Sequence, residues 1–581
     1  MKRGLKMFGE EGMKAVKDEL QQLHDREVMK LVHKNKLTPE QRQESLGYLM
    51  FMKRKRNGKV KGRGCADGRK QRAWTSKEDS TSPTVATEAV FLTAVVDALE
   101  NRDVAIVDVP GAFMQADMDE LVHIHFTGTM VDLLLQIDPD MYGPYITYEK
   151  GEKVIYVELL KALYGTLRAA ILFWRKLNAK LLEDGYTPNP YDSCTVNKMI
   201  NGKQATIVWH VDDLKISHVD SKVVDAIINM LDKEFGKETL MNKSRGKVHD
   251  YLGMILDFSK PGELTVDMVH YIKTIIDKMP KDMTGHAKTP AGSHLFKVND
   301  SPVLLDKDRA TIFYQMTRQL LYLCQQGRPE LRTAISFLCR RNQAPEEDDY
   351  KKLTQVMQYL QGSIDLKLVL SADGSGMISW WVDAAYGVHF DMKGQTGGTL
   401  SMGKGSVYSF PGAQKLVACS LTEAEVIGVD DLMPQMMWTG YFLKAQGVDV
   451  VDTDLYQDNK SAMLLEKNGR ASSGKRTRHI DIRFYFVADR VANGDLRIEH
   501  CPTEDMVADF FTKPLQGALF YKLRDQIMNI DPSSPYHSSQ RSVLTDEDIE
   551  QKVMGVEQVV SNPDAVRTYK NVLLSEPPVK L

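Results

Sequence analysis

The sequence predicts a chain of several α/β and α+β domains, and three observations carry that prediction. Its 581 residues exceed what one hydrophobic core fills and suit roughly three or four domains. Two separate series of β-branched runs interleaved with helical segments are present. Between them, from about 263 to 375, lies a mainly helical, polar stretch.

Taken in order, residues 1–50 form a helical lead-in, with Met13, Val16, Leu20 and Leu23 at helical spacing. Lys53–Arg72 holds ten Lys or Arg against one Asp and is punctuated by Gly58, Gly62, Gly64 and Gly68, which predicts a flexible turn or hairpin dense in positive charge. Ser82-Pro83-Thr84 opens an amphipathic helix, TVATEAVFLTAVVDALEN. DVAIVDVPGAF reads as a strand leaving the core. EKVIYVELL is a second strand, followed by a helical segment from Lys161 to Asp184. QATIVWHV and LKISHV flank Asp212-Asp213, the pattern of a hairpin with both carboxylates at its tip. Residues 222–235 read as a helix and HDYLGMILDF as another strand. A new β series begins at GMISWWVD, continues in Gly-punctuated strands, and gives way to a helix and a strand–helix series up to about 517. The last segment, rich in Pro, Ser and acids, has no clear period and is expected to be partly disordered.

Composition excludes some classes. With 75 Lys+Arg against 78 Asp+Glu and a net charge of -3, the whole chain does not announce a nucleic-acid binder, so charge is informative only locally. Six scattered cysteines without a CxxC pair argue against a zinc ribbon or disulfide framework. No run approaches the ~18 apolar residues of a membrane span. The expectation is a non-secreted, intracellular protein without a membrane partner.

The acids at strand ends carry the chemistry. Transferring a phosphoryl group to a growing strand uses two divalent cations roughly 3.5–4 Å apart, held by hard oxygen ligands. Asp108 closes DVAIVD and Asp212-Asp213 sit at the hairpin tip, so neighbouring strands of one sheet can bring them to one pocket across about 100 residues of sequence. A second set follows: Asp383 ends MISWWVD, Glu425 lies in the first turn of a helix, Asp458 ends DLYQD, and Asp509 lies on a late short helix. An isolated Asp-Asp is usually a solvated turn. The order and spacing of these blocks together weigh against that reading here.

These blocks resemble the C-terminal part of a copia-type LTR-retrotransposon Pol polyprotein, a reverse transcriptase joined to a ribonuclease H domain. DVPGAF and HVDD are similar to the two catalytic boxes of the palm, LLKALYGTLRAAILFW to the LYG segment, and GKVKGRGCADGRKQ to a fingers segment. WVDAAYG, SLTEAEVIG, DNKSAM, RTRHIDIRFYF and CPTEDMVADFFTKPL look like the ribonuclease H blocks. The resemblance implies a right-hand polymerase, with fingers and palm at 51–260 and thumb or connection at 261–375. A ribonuclease H-like domain would follow at 376–519, then a tail at 520–581.

It further implies Asp108, Asp212 and Asp213 as one catalytic, metal-holding set and Asp383, Glu425, Asp458 and Asp509 as the other, each with two Mg2+ or Mn2+ ions. Glu425 is preferred to Glu423 because its spacing to Gly428 matches the family's helix start. Phe113 would be the steric gate against a 2′-hydroxyl, and Lys61 and Arg63 the triphosphate contacts. Arg168, standing where Gln is typical, joins the nucleotide-binding group. Ala170 replaces a typical Pro, and His210 replaces the usual Tyr beside the acids. His500 corresponds to a mobile histidine that aids product release in related enzymes, although a lone strand-end His is more often structural. Lys475, Arg476, Arg478, His479 and Arg483 would grip hybrid phosphates; as an unrelated charge run they would be a solvated face.

The implied activities are RNA-directed DNA synthesis and cleavage of the RNA strand of a hybrid. The partners would be RNA template, DNA primer, RNA–DNA hybrid and dNTPs, with integrase and capsid of the same element as further candidates. The place would be a cytoplasmic virus-like particle, or the nucleus. The lack of protease, integrase and gag-knuckle signatures fits the terminal part of a larger product or a truncated reading frame. The alternative is a decayed or domesticated nucleic-acid-binding remnant.

Overall fold

The computed structural model describes residues 1–54, 58–468 and 481–540. The chain folds as two compact units, Met1–Val85 with Val104–Ser244, and Ala86–Asp103 with Arg245–Leu581.

The first unit contains two sheets. In one, the strands Met29–Val32, Glu152–Leu159, His123–Thr127, Leu46–Arg54 and Val60–Ala66 lie side by side in that order, with Thr147–Glu149 also paired to Glu152–Leu159. The helix Lys2–Asp25, kinked at Gly9, supplies Val16, Leu20 and Leu23 to the same core as Tyr48, Phe126 and Ile155. Met13, expected on that apolar face, is exposed. The lead-in is therefore not wholly helical, since Met29–Val32 pairs with Glu152–Leu159. Met29, Leu31 and Val32 are apolar while Lys30 is exposed, which suits a strand at the sheet edge.

The basic segment is the hairpin of Leu46–Arg54 with Val60–Ala66, and its glycines serve close packing more than looseness. A Cβ on Gly62 would meet the Ala15 carbonyl oxygen at 2.5 Å, and one on Gly64 the Tyr48 hydroxyl at 1.5 Å. Glycine is thus required where the N-terminal helix and Tyr48 press on this strand.

The second sheet runs Asn242–Ser244, Asp103–Asp108, Asp213–His218, Lys203–His210, Asp192–Ile200, Thr187–Asn189. Its central strands are apolar on both faces: Val104, Ala105, Ile106 and Val107 are all buried, as are Ile207, Val208 and Trp209. The helices Ala169–Glu183 and Ser221–Phe235 add buried Phe173, Leu177, Ile227 and Phe235.

In the second unit the helix Thr87–Leu99 is buried at every position from Ala89 to Ala98, so the expected amphipathic helix is enclosed on all sides. HDYLGMILDF forms two strands, Val248–Tyr251 and Met254–Asp257, not one. The turn residues Leu252 and Gly253 both have positive φ, +50° and +76°, as the favoured two-residue hairpin turns demand. Polar helices follow at Lys307–Gln326, Arg332–Arg340 and Glu347–Gln361.

The last sheet has the order Tyr408–Ala413, Gln395–Ser401, Met377–Ala385, Asp452–Gln457, Arg497–His500. Its first three strands are antiparallel neighbours and its last two join in parallel. The helix Leu421–Ala445 packs on Met377–Ala385, with Gly428 over Val382 and Ala384.

Part of the tail expected at 520–581 is ordered. Gly517–Met528 is a helix burying Phe520, Leu523 and Ile527, a helical spacing hidden in the sequence by flanking charge. Residues 541–581, which hold the rest of the expected disordered tail, lie outside the described residues.

Candidate active sites

The first site forms where the strand Asp103–Asp108 ends beside the tip of the hairpin Lys203–His210/Asp213–His218. His210 pairs with Asp213 across a two-residue turn of Val211 and Asp212. Val211 takes φ +59°, a conformation strained for a β-branched side chain. The turn is held from the side: the Val109 backbone N–H donates to the Asp212 carbonyl at 3.0 Å. The Asn242 side-chain amide donates to the Asp108 carboxylate at 3.0 Å, because Asn242 stands opposite Asp108 in the sheet. Burial raises the Asp212 carboxyl above the ordinary range, the Asp108 charge raises it further, and Arg63 and His210 oppose that shift.

Tyr164 sits among these groups. Its ring lies 4.4 Å from that of Phe113, centroid to centroid, and the Arg63 guanidinium stands 5.7 Å over it. Burial first, then Asp212, raises its hydroxyl to about 12. Phe113 itself, on the short turn Ala112–Gln115, packs against Ala116, Ala162, Ala169 and Leu172.

The second site is tighter. Asp383, Glu425 and Asp458 each offer a carboxylate oxygen within 4.8 Å of the others, the only such group among the described residues. The acids of the first site do not gather so closely. Asp383 is at the end region of the central strand, Glu425 in the first turns of Leu421–Ala445, and Asp458 just past Asp452–Gln457.

The short helix Asp509–Thr512 closes over them. Gly397, opposite Asp383 in the sheet, makes this possible, since a Cβ there would meet Thr512 Cγ2 at 2.6 Å and the Ala508 carbonyl oxygen at 2.7 Å. Thr512 donates its hydroxyl to Asp383. Lys513 bonds Asp509 at 2.5 Å and faces Asp383 at 3.5 Å.

Burial, with the Asp383 charge second, lifts Asp509 to about 7. Glu425 is raised well above the carboxylate range, by burial first and then by Asp383 and Asp458. Its Oε2 has no hydrogen-bond partner. Glu466, buried and lifted by burial to about 8, is a lesser cause of the rise at Glu425. A buried, unpartnered carboxylate oxygen within a set of hard donors fits a divalent cation. Glu423 is occupied otherwise: it accepts from the Cys419 backbone N–H, and its own N–H bonds the capping Ser420.

The remaining expected residues are placed as follows. Lys61 and Arg63 are exposed on the strand Val60–Ala66. Arg168 makes an ion pair with Asp119 at 2.6 Å and reaches Glu120 at 4.0 Å, a separate set of partners from the Asp108–Asp212 pair. His500 ends its strand, exposed, opposite Gln457 and thus next to Asp458. Lys475, Arg476, Arg478 and His479 lie outside the described residues. Arg483 lies on the helix Asp481–Ala492. Tyr164, Asn242, Thr512, Lys513 and Glu466 escaped the sequence reading. Only Tyr164, Thr512 and Lys513 had a signal, lying inside the LYG and FFTKPL blocks.

Residues 37–291 match the family model of reverse transcriptase (RNA-dependent DNA polymerase). The chain is 24% identical over 511 residues to the retrovirus-related Pol polyprotein from transposon TNT 1-94 of Nicotiana tabacum, covering 86% of this chain and 36% of that one. It is 25% identical over 473 residues to the Pol polyprotein from transposon RE1 of Arabidopsis thaliana, covering 81% and 30%. Residues 37–291 thus match the reverse transcriptase family, and the chain over most of its length is similar to retrotransposon Pol polyproteins. The chain spans about a third of the length of the curated relatives it matches. Among solved structures, it is similar to a foamy viral protease–reverse transcriptase in complex with ds DNA, with a TM-score of 0.45 and 10% identity, covering 84% of this chain and 69% of that one. Another such protein was solved in complex with RNA/DNA hybrid, at a TM-score of 0.42 and 11% identity over 79% of this chain and 50% of that one. The reverse transcriptase family implies divalent metals, and an acidic triad is present. Among the described residues no helix is long and apolar enough to cross a membrane.

Proposed function

We propose that this Pol segment is an RNA-directed DNA polymerase with ribonuclease H activity, copying element RNA into DNA and cutting the RNA of the resulting hybrid. The observation that carries the reading is the meeting of the Asp108 strand end with the Asp212 turn, joined by the Val109 N–H to the Asp212 carbonyl, near Arg63 and the Phe113–Tyr164 pair, inside the stretch matching the reverse transcriptase model. Asp108, Asp212 and Asp213 would hold one pair of Mg2+ or Mn2+ ions, and Asp383, Glu425, Asp458 and Asp509 the other. Ions so held supply Lewis acidity to the attacking and leaving oxygens.

The protein groups do the rest. Arg63, with Lys61 beside it, grips triphosphate oxygens through a forked guanidinium. Phe113, backed by Tyr164, closes the space a 2′-hydroxyl would need. Thr512 orients Asp383 by its hydrogen bond, and Lys513 offsets part of the acid charge while the cluster waits for its ions. Substrates are then RNA template, DNA primer, dNTPs and RNA–DNA hybrid, in a virus-like particle or the nucleus.

Primer extension on an RNA template with Mg2+ or Mn2+ tests the polymerase, and Asp212→Asn is expected to abolish it while sparing hybrid cleavage. Asp458→Asn is expected to do the reverse. Wild-type synthesis no greater than that of Asp212→Asn would favour a decayed or domesticated nucleic-acid-binding remnant, a reading to which the engagement of Arg168 with Asp119 lends some support.

A further inference from the structure

Residues 1–36 precede the stretch that matches the reverse transcriptase model, and the function above gives them no task. The helix Lys2–Asp25 nevertheless packs backbone to backbone on the strand Val60–Ala66: the Ala15 carbonyl sits where a Gly62 side chain would be. That strand lies at the sheet edge, so one of its rows of N–H groups has no neighbouring strand. Two of its N–H groups are taken by other partners. The Gly64 N–H donates to Glu19 Oε1 at 2.8 Å, and the Ala66 N–H donates to the Tyr164 carbonyl at 2.7 Å.

Arg63 and Lys61 alternate with Gly62 and Gly64, so the two cations are exposed while the two glycines are buried. The backbone is thus pinned one residue after Arg63 by an acid from the N-terminal helix. Three residues after Arg63 it is pinned again, by the same Tyr164 whose ring lies under the Arg63 guanidinium.

We propose that Glu19 is a positioning residue for the incoming nucleoside triphosphate, its carboxylate fixing the Gly64 N–H so that Lys61 and Arg63 are presented to the phosphates. The proposal rests on the polymerase reading above. Glu19 acts through the strand and not on substrate. Burial raises the Glu19 carboxyl above its ordinary range, and the Gly64 N–H with the charges of Lys61 and Arg63 offsets part of that rise. The acceptor oxygen, more than the charge, is what the strand needs, so an amide of the same length should serve.

The test is a pair of variants in the full chain, read by Mg·dTTP binding to the primer–template complex and by steady-state incorporation. Losing a hydrogen bond to a charged group at this position predicts that Glu19→Ala raises the dTTP KM and Kd about tenfold with kcat changed less than about twofold. Glu19→Gln, which keeps an oxygen for Gly64, should restore most of the loss. If Glu19→Ala does not fold, Glu19→Met, equal in length but without an acceptor, takes its place. Failure of both to fold would assign Glu19 to stability alone and overturn the proposal. Wild-type dTTP affinity in the Ala or Met variant, or a loss in kcat instead of KM, would also overturn it. Absence of dTTP binding and incorporation in the wild type would overturn the polymerase reading, and this proposal with it.

Discussion

Replacing Asp509 by Asn should stabilise the metal-free protein while removing one carboxylate from the proposed nuclease site. Asp509 is 4% exposed and its carboxyl is raised from 3.8 to about 7, by burial first and by the Asp383 charge next. A folded-state pKa above the unfolded value means that the stability present below the unfolded pKa is lost as pH rises through about 7. About three units at 1.36 kcal/mol each give roughly 4 kcal/mol of destabilisation at pH 8, but less than half of that at pH 5, where most of the rise is still ahead. Asn cannot ionise, so Asp509→Asn should gain roughly those amounts at the two pH values, with Lys513 still facing Asp383 at 3.5 Å.

Because a chain of two units need not unfold in one step, the readout is local. Hydrogen exchange is followed in peptides covering Met377–Ala385 and Leu421–Ala445, in EDTA, at pH 5 and pH 8 with intrinsic exchange rates corrected. Protection should rise by the larger amount at pH 8. Adding Mg2+ should protect the wild type and leave the variant little changed. Equal gains at both pH values, or a less stable variant at pH 8, would refute the claim that an unfavourable buried charge is held at Asp509.

Phe113→Val opens the space beside Tyr164, and ribonucleotide discrimination should fall about tenfold or more; unchanged discrimination in single-nucleotide incorporation rules Phe113 out as the gate. Val211→Gly relieves a β-branched residue at φ +59°, a strain worth about 1–3 kcal/mol, less about 0.5–1 kcal/mol of extra chain entropy. Exchange protection of the hairpin Lys203–His218 should therefore hold or rise while incorporation slows, and a hairpin weakened by more than about 1 kcal/mol contradicts the assignment of strain to this turn. Lys513→Met removes a cation that faces both Asp383 and Asp509. Metal-free protection of Met377–Ala385 should drop at pH 8 and be recovered by Mg2+; a drop that Mg2+ does not reverse would mean that Lys513 acts by packing and not by charge.

What the sequence made legible follows from where its signals are local. Strand-end acids announce themselves because a β-branched run and its terminating carboxylate are contiguous, as in DVAIVD and TIVWHVDD, and the structure places Asp108 and Asp212 within each other's field. Groups that matter through distant partners were silent. Glu19 reads as one more charge on an amphipathic helix, and only the fold brings it to Gly64, 45 residues away. Asn242 lies in a polar run without periodicity, and its bond to Asp108 spans 134 residues. Gly62, Gly64 and Gly397 looked like turn or flexibility signals, whereas each marks a close approach by another element. The helix Thr87–Leu99 seemed amphipathic because Thr93 and Asp97 interrupt its apolar residues. Both are buried, and Thr93 bonds the helix's own Ala89 carbonyl.

The two acid sets manage the same electrostatic problem by different means, and that difference bears on how each takes up ions. In the first site the acids are half-buried, Asp108 is fixed by an amide donor, and opposing charge comes from Arg63 and His210 at some remove. Little repulsion has to be held there before ions arrive. In the second, Asp383, Glu425 and Asp509 are almost fully buried, and a lysine is drawn into direct contact. A cation entering that cluster relieves more repulsion but must displace Lys513 from Asp509. Ion binding at the second site should therefore be the more strongly coupled to the local stability of its own sheet. On the proposed polymerase reading, ion binding at the first should depend more on the arrival of the nucleotide, whose phosphates would supply further oxygen ligands.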